Sequence, residues 1–216
     1  MSRALVAEAL GTLLLVAAVI GSAIMARALT DDTGVLLLAN AIATGCALLT
    51  LITIFAPLSG AHFNPAVTLV MALRRKISLQ TAATYILAQC AGAIAGTMLT
   101  HAMFDLPLLQ TSTHIRSGAP QFLAEVVATF GLILTVLSPR ATPALIAAYI
   151  TAAYWFTAST SFANPAMDLA RALTDTPSGI RPADAPAFLA AQIIGALLAA
   201  ALGGWLFKGD FGHDES

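Results

Sequence analysis

The sequence predicts an all-α membrane protein: six transmembrane helices and two re-entrant half-helices in an inverted repeat. Three observations predict it. Of the 216 residues, 58% are hydrophobic and 10% charged, and the mean hydropathy is +0.85, far from the balance of a soluble domain. The tripeptide Asn-Pro-Ala occurs twice, at Asn64-Pro65-Ala66 and Asn164-Pro165-Ala166, each time behind a long apolar segment. The opening Ala7-Glu8-Ala9-Leu10-Gly11-Thr12 resembles Ala124-Glu125-Val126-Val127-Ala128-Thr129, and Ala88-Gln89 before Gly92 recurs as Ala191-Gln192 before Gly195.

At about 20 apolar residues per crossing, spans fall near 4–26, 34–56, 78–100, 119–138, 143–160 and 184–207. The first is too long and too rich in glycine for the short apolar core of a cleaved signal, and is expected to be retained. Asn is a strong helix N-cap, and Pro suits the first helical position, where its missing N–H would lack a partner anyway. Each tripeptide therefore starts a helix, near 64–73 and 164–174. These are too short to cross and become half-helices with their positive ends near the midplane. Three spans per half is an odd number, so the second half enters from the opposite face. The chain reads as a single domain, 1–216, with halves at about 1–105 and 118–207. The polar segment 101–118, with Pro107, Thr111, Ser112, Thr113 and Gly118, is expected to be a connector.

Lys and Arg favour the cytoplasmic side of short loops. An inside N-terminus puts Arg3, Arg74-Arg75-Lys76, Arg140 and Lys208 inside, against Arg27, Arg116, Arg171 and Arg181 outside, so both termini are expected to be cytoplasmic. A net charge of −1 offers no basic field for nucleic acid. Cys46 and Cys90 lie in apolar spans and read as packing residues. No nucleophile–base pair, metal-spaced cluster or phosphate loop is evident, so neither an enzyme nor a cofactor or metal is expected. Asp210, His213 and Asp214 read as a solvated end.

Polar groups inside a membrane are costly. Glu8 and Glu125 are expected to accept N–H groups from the non-helical backbone leading to the half-helices, a structural role; a proton relay is the alternative. His62 reads as lining a vestibule or as a pH gate. Gly92 and Gly96, four apart, read as helix-packing contacts.

Ser59-Gly60-Ala61-His62-Phe63-Asn64-Pro65-Ala66-Val67-Thr68, the second Asn-Pro-Ala, the two Glu residues and the six spans resemble the aquaporin and glycerol-facilitator family over residues 3–207. The resemblance implies a right-handed bundle, usually a homotetramer with one pore per subunit in the lipid bilayer, in which Asn64 and Asn164 donate to a passing solute. Two half-helix N-termini aimed at one spot oppose a cation or proton and admit a neutral molecule. Most members of that family carry Arg three residues after the second Asn; here it is Met167. Counting without gaps, the other filter positions fall on Thr44, Ala152 and Ser161. Thr, Ala, Ser and Met in place of rings and a guanidinium predict a wide, weakly polar constriction. The stretch from Tyr154 to Arg171 is similar to the bacterial subgroup associated with arsenic resistance. That implies a passive inner-membrane channel for neutral trivalent metalloid hydroxides such as arsenous acid, with methylated arsenicals as further candidates. The alternatives are a general water and glycerol facilitator and a proton-coupled secondary transporter. Arg171, one turn or about 6 Å beyond Met167, reads either as reaching back toward the pore mouth or as a surface residue paired with Asp168 or Asp175.

Overall fold

The computed structural model describes residues 2–208, and the tail residues Asp210, His213 and Asp214 lie outside that range. Eight helices follow one another: α1 (Arg3–Leu29), α2 (Thr33–Ser59), α3 (Pro65–Leu73), α4 (Leu79–Met103), α5 (Ala119–Leu137), α6 (Pro143–Phe156), α7 (Pro165–Ala172) and α8 (Ala185–Leu206). There is no strand among the described residues.

The helix starts follow local chemistry. Ser2, Asp32, Ser78 and Thr142 each accept a backbone N–H of the first turn, at α1, α2, α4 and α6 respectively. At the two short helices, Asn64 Oδ1 accepts from Ala66 N (2.8 Å) and Asn164 Oδ1 from Ala166 N (2.9 Å), with Pro65 and Pro165 at the first helical position. Helix α2 stops at Gly60, whose φ of +87° is left-handed and which donates back to Ala56 O.

Five helices are long and apolar enough to cross a membrane, while α6 has 14 residues. At about 1.5 Å per residue α6 rises roughly 21 Å, short of a hydrocarbon core of about 30 Å. The predicted span 143–160 is thus shortened at its end. The Thr157 hydroxyl bonds back to Ala153 O (2.6 Å), and Thr160, Ser161 and Ala163 take left-handed conformations that no helix continues through.

The helix pairings are symmetric. Helix α1 packs on α2 and α4 as α5 packs on α6 and α8. Half-helix α3 lies against α4 and α8 as α7 lies against α8 and α4, and α2 meets α6 across the join. Exchanging α1–α4 with α5–α8 reproduces this set, the contact pattern of an internal repeat. Glycines set the closest approaches: a Cβ on Gly92 would collide with the carbonyl of Ala9, and one on Gly195 with that of Val126. These are equivalent α1–α4 and α5–α8 contacts of the small-residue kind typical of membrane helices. Large apolar side chains such as Leu14, Ile42, Leu87, Leu123, Leu145 and Leu198 face outward. Polar groups such as Glu8, Gln89, Glu125 and Gln192 are fully enclosed, the reverse of a soluble protein's arrangement.

Candidate functional site

The half-helices meet end to end at the centre of the molecule. Asn64 Nδ2 donates to Ala163 O (2.7 Å), and Asn164 Nδ2 donates to Phe63 O (2.9 Å), a reciprocal clasp between the two Asn-Pro-Ala turns. Each amide nitrogen carries two hydrogens, so one N–H of each remains for another acceptor, and both Asn side chains line a central cavity of about 290 Å³. The positive ends of both helices are directed at this point.

The strands of chain that deliver these turns are held in an unusual backbone. Gly60, Ala61 and Phe63 have φ of 87°, 51° and 50°; Thr160, Ser161 and Ala163 have 61°, 51° and 47°. Non-glycine residues in this region cost of order 1–3 kcal/mol each and persist only where their surroundings over-determine them. Here the surroundings are the two glutamates. Glu8 accepts from His62 N (2.9 Å) on one oxygen and Phe63 N (2.7 Å) on the other, with Ser59 Oγ and Gln89 Nε2 adding a bond each. Glu125 accepts from Phe162 N (2.9 Å) and Ala163 N (2.8 Å), again one per oxygen, and from Gln192 Nε2 (2.8 Å). Each carboxylate thus serves the loop of its own half, and its acceptor capacity goes to backbone geometry.

Stripes of residues four apart face the cavity from six helices: Leu15 and Val19 of α1; Thr44, Leu48 and Ile52 of α2; Val67 and Met71 of α3; Leu132 and Val136 of α5; Ile146, Ile150 and Tyr154 of α6; Met167 and Arg171 of α7. The walls are apolar, interrupted by the backbone of the two loops, Thr44, His62, the two Asn residues, Tyr154, Ser161 and Arg171. His62 is half-buried, bonds Thr68 Oγ1 through Nδ1 (3.1 Å) and meets Tyr85 edge-on at 5.5 Å. The Ser161 hydroxyl is buried without a protein partner.

Of the four sequence-assigned filter positions, Thr44, Ser161 and Met167 line the cavity and Ala152 does not. Ala152 is exposed on the outer side of α6. Tyr154, two residues later, turns inward and its hydroxyl meets Thr44 Oγ1 at 3.1 Å. The gapless count fails because residues 157–163 are irregular, so position along α6 cannot be counted back from Asn164. An aromatic side chain therefore lines the cavity where the count placed a methyl group.

Arg171 is not the surface residue of the pairing alternative. It is 2% exposed, its guanidinium carbon lies 3.3 Å from the centroid of Phe162, and its Nε donates to Ser178 O. The acids proposed as partners bond elsewhere: Asp168 Oδ1 accepts from Gln192 Nε2 (3.0 Å) while its Oδ2 is buried without a partner, and Asp175 accepts from the N–H (2.8 Å) and hydroxyl (2.9 Å) of Thr113. The cation that is missing at Met167 is present one turn along the same helix.

A second cation there escaped the sequence analysis, which counted Arg116 only as a loop charge. Residues 104–118 fold back over the C-terminal end of α7. Gln110 N and Ser112 N donate to Leu173 O and Ala172 O, and Arg181 N donates to His114 O. This brings Arg116 over Phe162 at 5.1 Å, with Nε donating to Gly179 O (2.7 Å) and the terminal nitrogens to Ser159 O (3.3 Å) and Pro177 O (3.4 Å). Beyond Arg171 a further cavity of about 210 Å³ is lined by the apolar Ala23, Leu36 and Leu37 and by Thr33, Asn40, Arg116, Thr160, Pro177 and Ser178. At this rim, two hydrogen bonds from Thr113 hold the Asp175 carboxyl below the usual carboxylate range, and the Arg181 guanidinium does the same for Asp184.

The sequence comparisons bear on this arrangement. The family model described as major intrinsic protein matches residues 1–147. The chain belongs to the major intrinsic protein family. It is 58% identical over 213 residues to the aquaglyceroporin AqpS of Rhizobium meliloti (strain 1021), covering 96% of this chain and 91% of that protein. It is 39% identical over 149 residues to the probable aquaporin TIP2-2 of Oryza sativa subsp. japonica, covering 65% of this chain and 58% of that one. Among solved structures, the aquaglyceroporin from Plasmodium falciparum superposes with a TM-score of 0.75 over 97% of this chain and 96% of that chain, at 20% identity, and shows the shared fold. As a major intrinsic protein the chain is a multi-pass membrane channel and not an enzyme.

Proposed function

We propose that the protein conducts small neutral solutes passively through the central cavity, with arsenous acid and related neutral metalloid hydroxides as its principal solutes. The observation that carries this reading is the cavity wall. Apolar stripes surround a few hydrogen-bonding groups, and Met167 replaces the guanidinium expected at the filter. A neutral triol can exchange its water for the free N–H groups of Asn64 and Asn164 and the hydroxyls of Thr44 and Ser161. A cation meets two helix N-termini and Arg171. The aquaglyceroporin relative at 58% identity supports glycerol-sized solutes, so water and glycerol are expected to pass as well. A coupled transporter needs a free acid on the path, and both glutamates are occupied by amide donors. We further propose cytoplasmic termini and a tetrameric assembly with one pore per subunit.

The test is stopped-flow permeability of reconstituted vesicles to arsenous acid, glycerol and water, comparing wild type with Met167→Arg. Arsenous acid and glycerol should pass in the wild type, and the substitution should suppress both more than water. Flux of water alone, unchanged by the substitution, would show that Met167 does not set the constriction.

A further inference from the structure

We propose that Arg171 and Arg116 form a binding subsite for a small oxyanion in the cavity beside the 104–118 connector, and that occupancy of the subsite obstructs solute passage. The inference rests on the reading of the central cavity as the solute path, because Arg171 lines both cavities.

Both guanidinium groups lie against the one Phe162 ring, at 3.3 Å and 5.1 Å from its centroid. Neither has a carboxylate partner. Among the described residues the salt bridges are Arg27–Asp31 and Arg181–Asp184, at other places. The acids of this region accept their hydrogen bonds from other groups: Glu125 from Phe162 N and Ala163 N, Asp168 Oδ1 from Gln192 while its Oδ2 is unpaired, Asp175 from Thr113, and Asp184 from Arg181 and the backbone N of Arg116. Arg116 spends three of its donors on carbonyl oxygens, which fix its position without neutralising it. Arg171 spends only Nε, on Ser178 O, so its two terminal nitrogens carry four N–H bonds with no protein acceptor although the residue is 2% exposed.

A buried cation without a bonded counter-ion is costly. The planar fork of a guanidinium is the geometry that takes two oxygens of one anion at once. The cavity beside it is large enough for such an ion, and Thr33, Thr160 and Ser178 place hydroxyl-bearing residues on its walls. Because Arg171 is a wall of both cavities, an oxyanion held on its fork stands beside the solute path. The chemical class is therefore a compact oxyanion of phosphate type. A spherical ion such as chloride lacks the paired oxygens.

The experiment uses the full-length protein in vesicles, with inorganic phosphate on both faces so that insertion direction does not matter, and chloride at matched ionic strength as reference. Phosphate should reduce glycerol flux several-fold and saturably in the wild type. Arg171→Gln should raise the half-inhibiting concentration about tenfold or more, since a charge-assisted bidentate contact is lost. Arg171→Lys, which keeps charge and loses the fork, should fall between, and Arg116→Gln should weaken inhibition too. Equal wild-type flux in phosphate and chloride overturns the proposal. Wild-type glycerol flux no greater than that of bare vesicles overturns the channel reading instead. Equilibrium binding of labelled phosphate to the detergent-solubilised protein then reads the subsite without flux: saturable binding lost in Arg171→Gln supports it, and no binding refutes it.

Discussion

Replacing Glu8 or Glu125 by Gln changes one atom and tests why the pore loops hold their shape. In each case two consecutive backbone N–H groups are received on the two different oxygens of one carboxylate: His62 and Phe63 on Glu8, Phe162 and Ala163 on Glu125. Glutamine has one acceptor oxygen, so whichever way its amide turns, one backbone N–H faces an NH2 group. The flanking Gln89 and Gln192 do not restore the lost pairing, since reversing either amide gives up its Nε2 bond to Thr68 Oγ1 or Asp168 Oδ1, and a backbone N–H cannot turn. A buried donor left unpaired costs about 1–3 kcal/mol, and the remaining bond loses its ionic character, so the expected total is roughly 2–4 kcal/mol per substitution. The loop affected contains two or three non-glycine residues at positive φ, whose strain of order 1–3 kcal/mol each is what the carboxylate restrains. The orphaned segment should relax, taking Asn64 or Asn164 out of the clasp. The assay is thermal unfolding in detergent alongside glycerol flux in vesicles. Both variants should unfold at lower temperature, with flux falling together with stability, while Glu→Asp, which keeps both acceptors on a shorter arm, should be intermediate. A Glu125→Gln protein with wild-type stability and flux would refute the argument that the carboxylate holds the loop.

Three further outcomes follow from the geometry. Gly92→Ala and Gly195→Ala should each destabilise by about 1–3 kcal/mol, because the added methyl meets a backbone carbonyl that cannot swing aside; unfolding temperatures unchanged in both would mean the helix pairs are looser than described. Ala152→Leu should leave solute flux within about twofold, as expected of an outward-facing site, whereas Tyr154→Ala should widen the pore and raise glycerol flux relative to water; a strong effect at Ala152 with none at Tyr154 would reverse the assignment of the α6 face. The Asp175–Thr113 and Asp184–Arg181 contacts hold both carboxyls below their ordinary value. A folded-state pKa below the unfolded value of about 3.9 stabilises fully above roughly pH 5 and loses that stabilisation as pH falls through the folded value. Hydrogen exchange at Thr113, corrected for intrinsic rate, should therefore accelerate on acidification to about pH 3 and be already fast at neutral pH in Asp175→Ala, which removes the accepting oxygen.

What the sequence determined by itself was everything written in local chemistry. The two helix starts at Pro65 and Pro165 follow from Asn capping and proline geometry, which involve only the next few residues. The long apolar helices follow from composition, and the pairing of halves from the repetition of Glu8 as Glu125 and Gln89 as Gln192. Tertiary structure decided what depends on direction across an irregular segment or between distant segments. The inward face of α6 could not be counted from Asn164 because residues 157–163 follow no helical period, so Tyr154 rather than Ala152 meets Thr44. The direction of Arg171 depended on a competition between a helical neighbour, Asp168, and the Phe162 ring with Ser178 O; Asp168 was taken by Gln192, a residue of another helix. Arg116 carried no signal at all, because its partners Ser159, Pro177 and Gly179 lie more than forty residues away and are backbone carbonyls, which every residue type supplies. Periodicity and capping act over one or two turns; where a cation settles in a membrane protein is decided by which acceptors folding brings within reach.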